Sequence, residues 1–359
     1  MSSFKITGYR IFNGRLLTLG LSMTIWVLIC SSCKKNIYSL RLPDKMVVLS
    51  EITAGDTANI PISSTNPAGQ GTLLTFQKLN SVSVDIKGDN DPLPFSLLLN
   101  QSSAFSSSPT AVYSAGETFQ LATRYHLSAT DPALGTVEAY TTIPSDFDAR
   151  KTETEIDDLG NKKVFRVGFN IHDAAEEKNY YILEAVKQLV YIARTFTWQG
   201  QSYDYNSQAG FDLFQQVSNN PGVLLVIDTI RRPVYLRLNV FTRDTHTDNA
   251  VIGSLDSAYR RIFISDSLFN GKNYQTSLYV EMDQFMASDS TQKGIVEIRV
   301  KSVSPELYHY LLDYEKYNLD FGNFSVGNLN SPNGNIQNGF GIFGGSAKKQ
   351  WDFYYDNLQ

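Results

Sequence analysis

Apolar and polar positions alternate with a period of two along much of the chain. Val82, Val84 and Ile86 fall on one side of a segment whose other side is Ser81, Ser83 and Asp85, the pattern of a strand with one buried and one wet face. Lys45–Ile52, Asn59–Ile62, Gly116–Leu121 and Thr136–Ile143 read as further strands, separated by turn clusters such as Ala54–Thr57 and Gly88–Pro92. About seven short strands within residues 45–147 predict an immunoglobulin-like β-sandwich. Residues 148–162 are polar and charged and predict a linker or exposed loop. A second antiparallel β-rich domain is then expected over 163–359. In it Phe165, Val167, Phe169 and Ile171, then Leu236, Leu238 and Val240, then Val296, Ile298 and Val300 alternate with polar neighbours. One short packed helix is predicted, with Ser304 as N-cap, Pro305 at its first position, Glu306 in its first turn, and Leu307, Tyr310, Leu311 and Tyr314 along one stripe. The fold class is therefore mainly β.

The first 32 residues break the pattern. Lys5, Arg10 and Arg15, with no acid, precede the apolar run Leu16–Ile29, a charged segment followed by a hydrophobic one. Fourteen helical residues rise about 21 Å, short of a bilayer core of roughly 30 Å, so residues 1–32 read as a cleaved signal peptide better than as a permanent span. The following Cys30-Ser31-Ser32-Cys33-Lys34-Lys35 resembles a bacterial lipobox. Cleavage after the small Ser32 would leave Cys33 as the acylated first residue and 33–44 as a lipidated tether. An ordinary secretory signal with two incidental cysteines is the alternative.

Composition narrows the function classes. The chain has 359 residues, 42% hydrophobic, with 21 Phe and 20 Tyr, enough to fill sizeable cores. Cys30 and Cys33 are its only cysteines, which excludes a disulfide framework or cysteine-rich zinc site. The net charge of -5 argues against a broad nucleic-acid surface, and loss of the signal would remove only basic charge. None of the four histidines opens an H-E-x-x-H helix, and the chain has neither a G-x-S-x-G elbow nor a phosphate-binding G-x-x-x-x-G-K-[ST] loop. Asp244 with His246 and Asp248, and His172 with Asp173 and Glu176, read as solvated loops before metal ligands. Asp89-Asn90-Asp91 reads as a hairpin turn before a calcium loop. The expectation is no catalytic residue, no metal and no cofactor. Trp198, Tyr203 and Tyr205 lie in an aromatic, polar stretch that suits either a recognition loop or an ordinary β core.

Five motifs together resemble a known family: the lipid-type cysteine followed by Ile37–Val48, then Thr136–Pro144, Asn179-Tyr180-Tyr181 after Asp173, Ser265–Lys272, and the C-terminal Asn335–Gly345. The family is that of the Bacteroidota outer-membrane lipoproteins built on a domain of unknown function, often encoded beside TonB-dependent transporters. In the last motif Asn335, Gly339, Phe340, Gly341, Ile342, Phe343 and Gly344 are expected to act structurally, as a conformationally special terminal strand. The resemblance implies an outer-membrane protein anchored through lipid on Cys33, with an immunoglobulin-like first domain and no transferable catalytic residues. The expected role is that of a non-catalytic accessory protein that binds a small solute, peptide or glycan, or docks on a transporter barrel. A surface hydrolase of glycans or peptides and a structural or adhesive envelope protein are the alternatives. Lys34-Lys35-Asn36 carries no acidic run, which leaves the cell-surface and periplasmic faces both open.

Overall fold

The computed structural model describes residues 44–66, 75–101, 108–175, 177–253, 257–285, 292–322 and 333–354. The lipobox residues Ser32 and Cys33 lie outside them. The chain is mainly β, as its alternation predicts. The first assembly comprises β1 (Met46–Thr53), β2 (Thr57–Asn66), β3 (Thr75–Lys78), β4 (Ser83–Gly88), β5 (Phe95–Leu99), β6 (Ala111–Thr118), β7 (Thr123–Asp131) and β8 (Gly135–Ile143). They connect in the order β1-β2-β6-β5-β4-β7-β8, almost wholly antiparallel, around a core that includes Val48, Ile60, Ile86, Leu127 and Ala139. The alternating side chains Val82, Val84 and Ile86 all point into it. Tyr113 crosses this core and ties its rim, donating to the Leu79 carbonyl at 2.8 Å and accepting from Val82 N–H at 2.9 Å. Asp91 closes the β4–β5 hairpin by reaching back to accept from Gly88 N–H at 2.9 Å.

The second assembly has two facing sheets. β9 (Asp148–Leu159), β10 (Lys162–His172), β14 (Val240–Phe241) and β16 (Asn273–Glu281) form one, in the order β14-β16-β10-β9. The other is built on β11 (Tyr180–Trp198), flanked by β12 (Gln201–Asp204), β13 (Leu225–Arg237), β15 (Ile262–Ser265) and β17 (Gln292–Val303). Phe165, Val167 and Phe169 of the first sheet meet Leu183, Ala185, Val296, Ile298 and Val300 of the second in one apolar core. Three helices accompany the strands among the described residues: α1 (Gln208–Val217), α2 (Asn249–Ile252) and α3 (Pro305–Gly322).

Three expectations need correction. Residues 148–162 are not a linker or loop, for β9 fills most of that span. It pairs along its length with β10 as a charged, solvent-facing edge strand, so it needs no continuous apolar face. The helix α3 is not short, and α1 accompanies it, capped by Ser207, whose hydroxyl accepts from Gly210 N–H at 3.1 Å. Leu236 does not share a buried face with Leu238 and Val240, because β13 ends at Arg237; Leu236 is 49% exposed while the other two are buried.

The last strand, β18 (Phe340–Tyr354), redraws the domain boundary. Its first half, Phe340–Ser346, pairs in parallel with Val47–Thr53 of β1. Its second half, Ser346–Tyr354, pairs antiparallel with β17. The first sandwich is therefore completed by the C-terminus, and a single strand runs through both assemblies.

Candidate ligand cleft

The polar face of β17 shows where charge has been gathered. Alternation puts Val296, Ile298 and Val300 into the apolar core and Glu297, Arg299 and Lys301 on the opposite face, yet Glu297 and Lys301 are buried as well. Pairing of β11 with β17 sets Glu184 opposite Arg299, and pairing with β13 sets Val186 opposite Arg237. Crossing by β18 brings Glu51 of β1 to the same face. Glu184, with no exposed side-chain surface, lies 2.5 Å from Lys301 Nζ, 3.0 Å from Arg237 Nε, 3.6 Å from Arg261 Nε and 3.7 Å from Arg299 Nη1. Lys301 also reaches Glu51 at 3.0 Å, and Arg299 pairs with Glu297.

Burial on its own would push the Glu184 carboxyl up. Lys301 first, then Arg237 and Arg261, outweigh it and hold the carboxyl well below the usual carboxylate range. Glu315 of α3 goes the other way, raised mainly by burial although it accepts from Arg260 N–H at 2.6 Å and faces Arg261 at 3.9 Å. Two carboxyls shifted apart would suit acid and base roles. Both are sealed from solvent, with side-chain exposures of 0% and 4%.

Two recesses open beside this network. One, of about 620 Å³, is walled by Thr53, Asp56, Asn59, Arg299 and Lys348 among others. The second, of about 340 Å³, lies under α3 between Leu49, Leu307, Leu311, Tyr310, Tyr314 and Ile342. Glu51 and Arg237 line both. The apolar stripe of α3 creates the second recess, because Leu307 and Tyr308 dock on the sheet while Tyr314 remains 45% exposed.

The residues singled out by motif lie elsewhere, with one exception. Trp198 closes the β11–β12 hairpin, whose turn residues Gln199 and Gly200 both take positive φ. Tyr203 stacks on Phe196, and Tyr205 packs edge-on against Phe211 and Phe214 of α1. These rings form a small aromatic core, half-buried, away from the cleft. Asn335 clamps the C-terminal strand by donating to the carbonyls of Tyr140 and Phe343, each at 2.8 Å, and accepting from Phe343 N–H at 2.9 Å. Gly341 takes φ +107° with Val48 O 1.9 Å from where a Cβ would stand, and at Gly344 a Cβ would lie 2.5 Å from that of Leu307. Phe343 is buried, Gly339 passes close to Met46 O, and Phe340 is 52% exposed. Ile342 is the exception, as a wall of the second recess.

Two further motifs interlock. Asp266 accepts from Asn179 N–H at 2.6 Å, while Asp173 accepts from Gly271 N–H at 2.9 Å and from Tyr181 Oη at 2.7 Å. They lock two loops together. Asp244 is likewise engaged by Tyr274, by Thr276 at 2.9 Å and by His246 N–H at 3.0 Å, and Asp248 by Tyr308 at 2.5 Å. Among the described residues no group of three or more His, Cys, Asp or Glu side chains is placed to hold a metal ion.

Motif reading missed the network itself. Its signal was Glu184 alone in the apolar run Tyr180–Val186, a charge in a buried strand that must find partners.

The chain is thus a β protein of two sandwich-like assemblies sharing their last strand, with a charge-walled cleft beside it. The family profile described as a domain of unknown function (DUF4249) matches residues 36–351, and the chain belongs to that family. No curated protein matches it. Among solved structures, a biofilm-associated protein BSP domain aligns over 88% of this chain and 59% of its own, at 7% identity and a TM-score of 0.19.

Proposed function

We propose that this chain is an exported Bacteroidota lipoprotein, anchored in the outer membrane through Cys33, which acts without catalysis by holding a solute in the cleft or docking on a TonB-dependent transporter. The observation that carries the solute-binding part is the pair of recesses meeting at Arg237 and Glu51. Their charged walls are fixed in advance: Glu184, ionised and inaccessible, holds Arg237 in place. A pre-oriented polar wall of this kind favours binding, since it pays little reorganisation when a ligand arrives. The signal-like N-terminus and the lipobox support export and anchoring. Leu224, Val226 and Ile227, 73%, 56% and 63% exposed, lie beside the edge of β13 that pairs with no strand among the described residues, and supply an apolar surface suited to a protein partner.

Purification from the native envelope in a mild detergent tests the reading. A barrel protein or a bound small molecule should accompany the chain, and labelled palmitate should be incorporated by the wild type but not by Cys33→Ala. Recovery of an unacylated chain, always alone and empty, would refute it.

A further inference from the structure

Deepening the solute-binding reading and resting on it, we propose that the recess under α3 is a site for a compact amphipathic carboxylate, its head on Arg237 and its apolar body against Leu307, Leu311 and Tyr314. Among the described residues Arg237 gives only its Nε to a side chain, that of Glu184 at 3.0 Å, while its own side chain keeps 36% of its surface exposed. Arg237 lines the recess, and among the described residues no side chain is found on its two terminal nitrogens, which leaves a fork of the kind a carboxylate meets in bidentate fashion. Glu184 acts behind it as a positioning residue.

The rest of the lining agrees. Arg237 and Arg261 line this end with Glu51; Glu184 lies behind both guanidinium groups and Lys301 is shared between Glu51 and Glu184, so the buried charges balance one another and Arg237, 36% exposed against 9% for Arg261, is the cation a ligand anion meets. The opposite end is apolar and open: Leu49 is 50% exposed and Tyr314 45%. A volume of about 340 Å³ sits at the small end of the range of roughly 300 to 1,000 Å³ for small-molecule sites, room for one ring or a short chain with its head group.

Calorimetric titration of the full chain, held in lipid nanodiscs and corrected against empty discs, tests this with three isosteric probes. 3-Phenylpropionate should bind, 3-phenylpropanamide about tenfold or more weakly, and 3-phenylpropylammonium not at all. Arg237→Met should weaken 3-phenylpropionate binding by about tenfold to a hundredfold. Because that change also loosens the ion network, Leu311→Trp serves as the second variant: it fills the recess without touching a charge and should abolish binding while the circular dichroism melting curve stays unchanged. Equal binding of acid and amide, or undiminished binding to Leu311→Trp, would overturn the proposal. Preference for the amide or the ammonium would overturn the carboxylate class while leaving a solute-binding protein in place. Silence from all three probes would overturn the proposed site, with the solute reading then judged on what copurifies from the envelope.

Discussion

The molecule holds two ion clusters built from the same sequence pattern in opposite surroundings. On β10, Arg166 alternates with core residues Phe165 and Val167 and is gripped by Glu153, at 2.7 Å, and Glu155 of β9, both about half exposed. On β17, Arg299 and Lys301 alternate with Ile298 and Val300 and converge on Glu184, which water does not reach. Nothing in either alternation distinguishes them. The difference lies in what covers the polar face. The β9–β10 face looks outward, whereas β1, the end of β13, Arg261 and α3 close over that of β17. A polar stripe thus reports which residues avoid the apolar core, and leaves open whether they reach solvent.

Removing the buried centre should break the comparison most sharply. Glu184→Ala leaves Arg237, Arg261, Arg299 and Lys301 crowded together without their shared anion. Loss of one member of a buried ion cluster typically costs about 3 to 5 kcal/mol, so the urea midpoint should fall steeply. The pH dependence carries the same signature. The ordinary value for Glu184 is 4.5 and the folded protein holds it lower, so its stabilisation is complete above 4.5 and is lost as pH falls through the folded value. Glu315, raised above 4.5 by burial, contributes with the opposite sign, losing stability as pH rises through its folded value. Glu184→Gln should therefore show a flatter acid limb than the wild type when urea midpoints are compared between neutral pH and pH 3. An equally steep limb in the variant would place the acid sensitivity elsewhere.

Next in size is a substitution that reaches the buried cluster through the backbone. Gly341→Ala forces a side chain into a left-handed conformation, at a cost of about 1 to 3 kcal/mol, and drives its Cβ against Val48 O. Relief of that clash moves β1 away from β18, and Glu51 lies three residues along β1 from Val48. The variant should lower the thermal midpoint and accelerate amide exchange along Val47–Thr53, while exchange in β9 and β10 stays as in the wild type. Uniform acceleration across both regions would mean that β18 does not separate their stabilities.

Much of the architecture was legible because burial follows alternation wherever one face meets a core: Val82, Val84 and Ile86, or Val296, Ile298 and Val300, lie inward as their spacing requires. The start of α3 at Pro305 was legible for the same local reason, a residue whose missing N–H costs a first turn nothing. β9 was hidden because an edge strand can be polar nearly throughout and still be held by main-chain bonds to β10. The place of Phe340–Gly344 at the start of a strand that bridges both assemblies, and the meeting of Glu51, Glu184 and Arg237 from β1, β11 and β13, depend on pairings far apart in the chain. No local pattern encodes those, although the lone Glu184 among apolar neighbours marked where to look.

The smallest effect belongs to the exposed cluster and sharpens the contrast from its other side. Glu155→Ala removes one of the two carboxylates on Arg166, leaving Glu153 at 2.7 Å to hold the guanidinium. Water solvates whatever is freed, and exposed pairs are worth about 0.2 to 1 kcal/mol, so the urea midpoint should shift slightly. That shift should shrink further as salt is raised, since roughly 1 M salt shortens the screening length to about 3 Å. The penalty of Glu184→Ala should survive the same salt, because ions cannot enter the space between Glu184 and its cations. Measuring both variants at low and high salt gives a difference of differences. If the Glu155 effect persisted in high salt, or the Glu184 effect vanished, burial would not be what separates the two clusters.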